Sequence, residues 1–143
     1  MNTITPKSQP TVKVAAALIN DSFGRTLLVR KRGSDYFMQA GGKIEGTESP
    51  RSALYRELQE ELGISIKEDN AEYLGRYIAP AANEEGFMVD AEMFQLEVTD
   101  EVFPAAEIVE LAWITLAQPP SIKLAPLTRD AILPLARERS NAL

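Results

Sequence analysis

Residues 41–64 read GGKIEGTESPRSALYRELQEELGI, and the organisation of the chain follows from them. Two glycines open the stretch and a polar loop over 43–48 follows. Ser49 and Pro50 then mark a helix start: a hydroxyl N-cap, then proline at the first helical position, where a missing N–H costs nothing. The helix is expected over 50–62, closed by Gly63 as a left-handed cap. Leu54, Leu58 and Leu62 recur every four residues and form its buried stripe. Glu57, Glu60 and Glu61 stand at i, i+3 and i+4, so their carboxylates share one face, beside the leucine stripe rather than opposite it. Like charges at that spacing repel each other. The arrangement makes sense if a cation sits among them at the edge of the core.

With 143 residues the chain is expected to be one domain over 11–143, preceded by a flexible lead-in over 1–10 that carries Pro6 and Pro10. Its 45% hydrophobic and 25% charged content is that of a soluble globular protein. No apolar run approaches the roughly 18–20 residues of a membrane span. The first residues lack the basic start and apolar centre of a signal peptide, so the expected location is cytoplasmic, with no membrane partner. Cysteine and histidine are both absent, which excludes disulfides, thiolate or imidazole metal ligation and histidine acid–base chemistry. A bound metal must be held by oxygen, which favours magnesium, manganese or calcium. The net charge of −6 argues against duplex nucleic acid as a partner. A small phosphorylated substrate remains compatible, provided metal ions mask the carboxylates.

Along the chain, 11–20 reads as a strand with Val12, Val14 and Ala16 on one face. Asn20, Asp21, Ser22 and Gly24 make a turn into a second strand over 26–32, and the pair reads as a hairpin. Tyr36-Phe37-Met38 is a short apolar piece feeding the glycines. Beyond the helix come an acidic turn over 67–70, a strand over 73–78 ending at Pro80, and a loop PAANEEG. A long strand spans 87–98 and a last one, with Trp113, spans 111–116. The C-terminal LTRDAILPLARERS is helical in period, with Leu127, Ala131 and Leu135 inward and a kink or break at Pro134. The sum is an α+β fold, a mixed sheet with one central and one C-terminal helix packed on it.

Gly42, five residues, Glu48, seven residues, then Arg56-Glu57-Leu58-Gln59-Glu60-Glu61-Leu62-Gly63-Ile64 resembles the Nudix box of the MutT/Nudix hydrolases at every fixed position. Ala40 departs from the pattern, standing where many relatives carry proline before the glycines. The order of strands around the box is also similar to that family. The resemblance implies an α/β/α Nudix sandwich with a central catalytic helix, hydrolysing the pyrophosphate bond of a nucleoside diphosphate linked to another group. It implies Mg2+ or Mn2+ as cofactor, held by Glu57, Glu60, Glu61 and the Gly41 carbonyl. Glu48 and Arg56 would pair as a structural brace of the box. The catalytic set would be Glu57, Glu60 and Glu107, with Glu57 the first candidate for general base and Glu107, on a late loop before Trp113, the second.

That chemistry agrees with elementary electrostatics. A diphosphate bridge repels hydroxide, and divalent ions neutralise its oxygens and lower the pKa of a water, whose proton a neighbouring glutamate can accept. Substrate contacts are expected from Arg30 and Arg32, with Lys31 between them, from Lys43, and from Phe37 as a base-stacking ring. The compact size and closing helix resemble the MutT-like, house-cleaning branch that cleaves nucleoside triphosphates to monophosphate and pyrophosphate. No asparagine stands in Leu124-Ala125-Pro126-Leu127, where that branch reads oxidised guanine. Pro80, 16 residues beyond Ile64, resembles a mark of the ADP-ribose pyrophosphatases, so ADP-ribose or a nucleotide sugar is the alternative. A non-catalytic nucleotide-binding module is a further one, disfavoured by the intact box. The family resemblance also allows a homodimer.

Overall fold

The computed structural model of the protein describes residues 10–67, 70–118 and 120–141. The lead-in expected over 1–10 lies outside them except for Pro10, as do Glu68 and Asp69 of the acidic turn. Seven strands form one mixed sheet: β1 (Thr11–Asn20), β2 (Thr26–Lys31), β3 (Phe37–Met38), β4 (Ala40–Lys43), β5 (Glu72–Pro80), β6 (Met88–Glu97) and β7 (Ile108–Ile114). Helix α1 (Pro50–Leu62) lies between β4 and β5, and α2 (Leu133–Asn141) closes the described chain. The strand order is β3-β2-β1-β6-β5, with β4 paired to β1 and β7 to β2.

Strand β1 is the shared wall of the fold. It runs parallel to β6 along its whole length, from Thr11↔Met88 to Asn20↔Glu97. Its side chains alternate between two cores, as a strand's period of two requires. Ala15, Ala17 and Ile19 face the cluster that holds Leu54, Leu58 and Leu62 of α1. Ala16 and Leu18 face a smaller cluster with Ile132 and Ala136 of the C-terminal helical segment. A helix thus covers each face, giving the expected α/β/α sandwich.

Helix α1 forms as its local sequence dictates. Ser49 has extended dihedrals and its hydroxyl accepts from the Ser52 N–H, Pro50 opens the first turn, and Gly63 closes the helix at φ 69°. All three stripe leucines are fully buried, each worth roughly 1.5–3 kcal/mol against exposure.

Three elements differ from the sequence expectation. The β1–β2 hairpin is bonded in register only at Asn20↔Thr26. Beyond that point β4 takes the edge of β1 from Val14↔Lys43 to Ala17↔Ala40, while β2 turns away to β7. The sheet therefore forks, and a cleft opens at the fork. The last strand begins at Ile108, three residues before the expected 111. The C-terminal run is not divided at Pro134; the disturbance expected there takes the form of a π-turn over Thr128–Ile132, in which the Leu133 N–H reaches the Thr128 carbonyl. A proline ring crowds the carbonyl four residues back, and the wider turn relieves it. The phase shifts with it: Ile132, Leu133 and Ala136 are buried, while Leu127, Ala131 and Leu135 are only half-buried.

Candidate active site

The acidic face of α1 meets the two glycines of β4 because α1 packs against that strand. Glu61 is 1% exposed. Its Oε1 accepts the Gly41 N–H at 3.0 Å, whereas Oε2 is buried and accepts no hydrogen bond. Burial pushes the Glu61 carboxyl up to about 7, the nearby Lys31 charge and the Gly41 N–H only partly offsetting it. Lys31, at the end of β2, donates from Nζ to the Gly41 carbonyl at 3.0 Å. The same ammonium lies 3.4 Å from Glu61 Oε2 and 3.5 Å from Glu107 Oε1. Glu107 is brought there by a loop docked on the end of α1, where the Ala105 N–H donates to the Glu61 carbonyl at 2.9 Å. Ala106 turns the chain just before it, at a left-handed φ of 53°.

Arg56 organises the other carboxylates. It donates to both oxygens of Glu48, from Nε at 2.7 Å and Nη2 at 2.8 Å, and from Nη1 to Glu57 Oε2 at 2.8 Å. It also reaches the Lys43 carbonyl at 3.1 Å, tying the 43–48 loop to the helix. These bonds hold the Glu48 carboxyl down at about 2. Glu60, 55% exposed at its side chain, lies 3.7 Å from Arg56 and faces outward. Among the described residues no three carboxylates are drawn together at metal-ligand spacing, because Arg56 engages Glu57 while Lys31 and Gly41 engage Glu61.

Three features nevertheless suit a divalent cation. Glu61 Oε2 is a buried acceptor with no hydrogen bond, faced by the Lys31 ammonium at 3.4 Å. The Lys31 ammonium is a stand-in cation among a carbonyl and two carboxylates. Glu57 packs so closely on Gly42 that a Cβ there would lie 2.4–2.7 Å from its carboxyl atoms. An all-oxygen set of this kind is that of a hard cation.

Lys31, Gly41, Gly42, Glu57 and Glu107 line a cleft of about 450 Å3, with Lys43 and Glu45, whereas Glu60 and Glu61 do not line it. Val14, Ala16, Leu127 and Pro80 give the same cleft apolar lining, and it admits Gln39, Asn83 and Thr128; strand pairing sets Ala16 beside Gly41 and Val14 beside Lys43. Arg30 is tied to Glu110 and the Ser34 carbonyl and, like exposed Arg32, does not line the cleft. Phe37 is 6% exposed, buried where β3 meets β2 and away from the cleft wall, so its ring is not free to stack a base. Of the basic run, Lys31 is the residue that enters. Strand alternation carries the signal for it: Leu27 and Val29 face the α1 core, and Lys31 follows on that same face. Gln39 and Thr128 had no local signal, since their contact joins residues 89 apart.

The NUDIX domain family model matches residues 10–135. A 70-residue stretch is 39% identical to the 8-oxo-dGTP diphosphatase of Haemophilus influenzae, covering 46% of this chain and 50% of that protein. A 56-residue stretch is 43% identical to the RNA pyrophosphohydrolase of Halorhodospira halophila, covering 39% of this chain and 29% of that protein. The chain thus spans half or less of these relatives' length. The fold is similar to that of the MutT protein from Methanosarcina mazei, with a TM-score of 0.76 and 22% identity over 94% of this chain and 99% of that one. With the family model spanning residues 10–135, and so both cores, the chain belongs to the NUDIX domain family.

Proposed function

We propose that this chain is a Mg2+- or Mn2+-dependent pyrophosphohydrolase that cleaves a nucleoside triphosphate to monophosphate and pyrophosphate. The observation that carries the reading is a single cleft lined by two kinds of group: Gly41, Glu57, Glu107 and Lys31 together with the apolar Val14, Ala16, Leu127 and Pro80. A nucleotide presents both, anhydride oxygens and a flat base. The two curated relatives, named as a diphosphatase and a pyrophosphohydrolase, agree with it in reaction class.

Glu57, Glu60, Glu61 and the Gly41 carbonyl are the groups that would hold the divalent ion. Such an ion supplies charge neutralisation for the anhydride and acidifies a water. The chain's own contribution is positional and basic. Arg56 fixes Glu57 through Oε2, which leaves Oε1 to accept the proton of the attacking water; Glu107 is the second candidate for that role. Lys43, which lines the cleft, would meet a phosphate oxygen. Pro80 lines the cleft, which keeps ADP-ribose and nucleotide sugars in the comparison as runner-up substrates.

The test is a screen of nucleoside triphosphates, ADP-ribose and nucleotide sugars with Mg2+ and Mn2+, alongside Glu60→Gln and Glu61→Gln. Triphosphates are expected to turn over best, and Glu61→Gln to lose at least about 100-fold in kcat/KM. Turnover that survives both substitutions, or none on any diphosphate, overturns the assignment and leaves a nucleotide-binding module.

A further inference from the structure

Gln39 carries a buried amide that is only half satisfied. The residue is 5% exposed and stands between β3 and β4, two positions before Gly41. Its Oε1 accepts the hydroxyl of Thr128, itself 0% exposed, at 2.8 Å. Its Nε2 is buried with no acceptor. Native structures rarely leave a buried donor unpaired, because its lost hydration is not returned. Both residues line the cleft, as do the apolar Val14, Ala16 and Leu127. Apolar walls with one fixed donor suit a flat heterocycle that brings an acceptor on its edge.

We propose that Gln39 determines base specificity, donating from Nε2 to a ring-edge carbonyl oxygen, with Thr128 as the positioning residue that turns the amide this way. An oxo edge, as in hypoxanthine, guanine or uracil, satisfies the donor. An amino edge at the same place, as in adenine or cytosine, sets donor against donor and leaves both unpaired. Because Nε2 is shielded from water, a base must displace side chains on entry. Half-buried Met38 and Leu127 line the same cleft and are the movable ones.

The inference rests on the nucleotide reading of the cleft, so its test measures binding rather than turnover. Inosine and adenosine monophosphates differ only at the oxo or amino edge, as uridine and cytidine monophosphates do at theirs. Titrating all four against the intact protein in Mg2+ is expected to give dissociation constants about tenfold lower for the oxo member of each pair, the worth of one hydrogen bond. Gln39→Leu, which preserves bulk and removes the orphan, is expected to bring both ratios near one. Thr128→Val, which frees the amide to rotate, is expected to reduce them. A wild-type ratio near one, an amino preference, a ratio that Gln39→Leu leaves intact, or no binding of any of the four overturns the proposal. Oxo selectivity without turnover of any diphosphate defeats the enzymatic reading alone, and turnover without oxo selectivity defeats this one alone.

Discussion

The ammonium of Lys31 is ringed by the Gly41 carbonyl, Glu61 and Glu107, and the first two of these are among the groups proposed to hold a divalent ion. Lys31→Met should therefore destabilise the protein kept in a chelator by about 1–3 kcal/mol, since the buried Glu61 oxygen loses its counter-charge. In millimolar Mn2+ the deficit should shrink, because a bound ion takes over that role. Urea melts under both conditions measure it, and equal deficits in both would show that lysine and metal do not share a place. Glu48 makes a pH prediction. Its folded pKa, about 2, lies below the ordinary 4.5 because Arg56 donates to both its oxygens. A depressed carboxylate contributes stability fully above about pH 4.5 and loses it as pH falls through about 2. The difference in unfolding free energy between wild type and Glu48→Gln should be constant above about pH 5 and fade between about pH 4.5 and 2 in acid melts. Both ends of this ion pair are readable from the box spacing. Lys31 is harder to single out, because it hides in a run of three basic residues and only the burial of Val29 distinguishes it.

Strand β4 and helix α1 make neighbouring glycines inequivalent. A Cβ on Gly41 would lie 2.2 Å from the Ala15 carbonyl oxygen, at a φ of 145° that L side chains rarely adopt. Backbone cannot yield there, so Gly41→Ala should cost about 3 kcal/mol or more. A Cβ on Gly42 meets the far end of the Glu57 side chain, which can swing aside. Gly42→Ala should fold with a melting temperature within a few degrees of wild type, yet lose turnover by roughly tenfold or more as Glu57 leaves its place. Thermal melts and kcat/KM on the two variants separate the cases. Helix α1 is legible residue by residue because its cap, stripe and stop are all local. The double glycine reads locally as a turn, and its place in a strand depends on Ala15 and Ala16, which lie more than 20 residues away. The same holds for the hairpin: the turn at Asn20 is a local signal, but the competition of β4 for the edge of β1 is not. At the C-terminus the proline is visible in the sequence and its remedy, a π-turn that shifts the buried face, is not.

On the scale of the molecule, the two helical layers are unequal. The α1 side packs into a large cluster that includes Ile19, Leu27, Val29 and Phe94, whereas the C-terminal helix rests on a smaller buried set, Ala16, Leu18, Ala91 and Met93, with Leu74, Tyr77 and Val89 only partly buried around it. A segment opens locally more often when less apolar surface holds it down, so amides of α2 should exchange with solvent at least about tenfold faster than those of α1 under native conditions. Hydrogen exchange resolved by residue measures this, and equal protection would show that the sandwich opens only as a whole. The sandwich itself is legible from the order of periodic segments, while the unequal depth of its layers depends on which faces of β1 the small residues occupy. That strand has one more consequence. With β4 locked beside it over four registered pairs, β1 fixes which lining residues stand side by side: Ala16 beside Gly41 and Val14 beside Lys43. A strand advances about 3.3 Å per residue and stretches very little. The offset between this apolar lining and the Gly41 carbonyl is therefore set by covalent geometry, and a bound ligand would have to match it rather than adjust it.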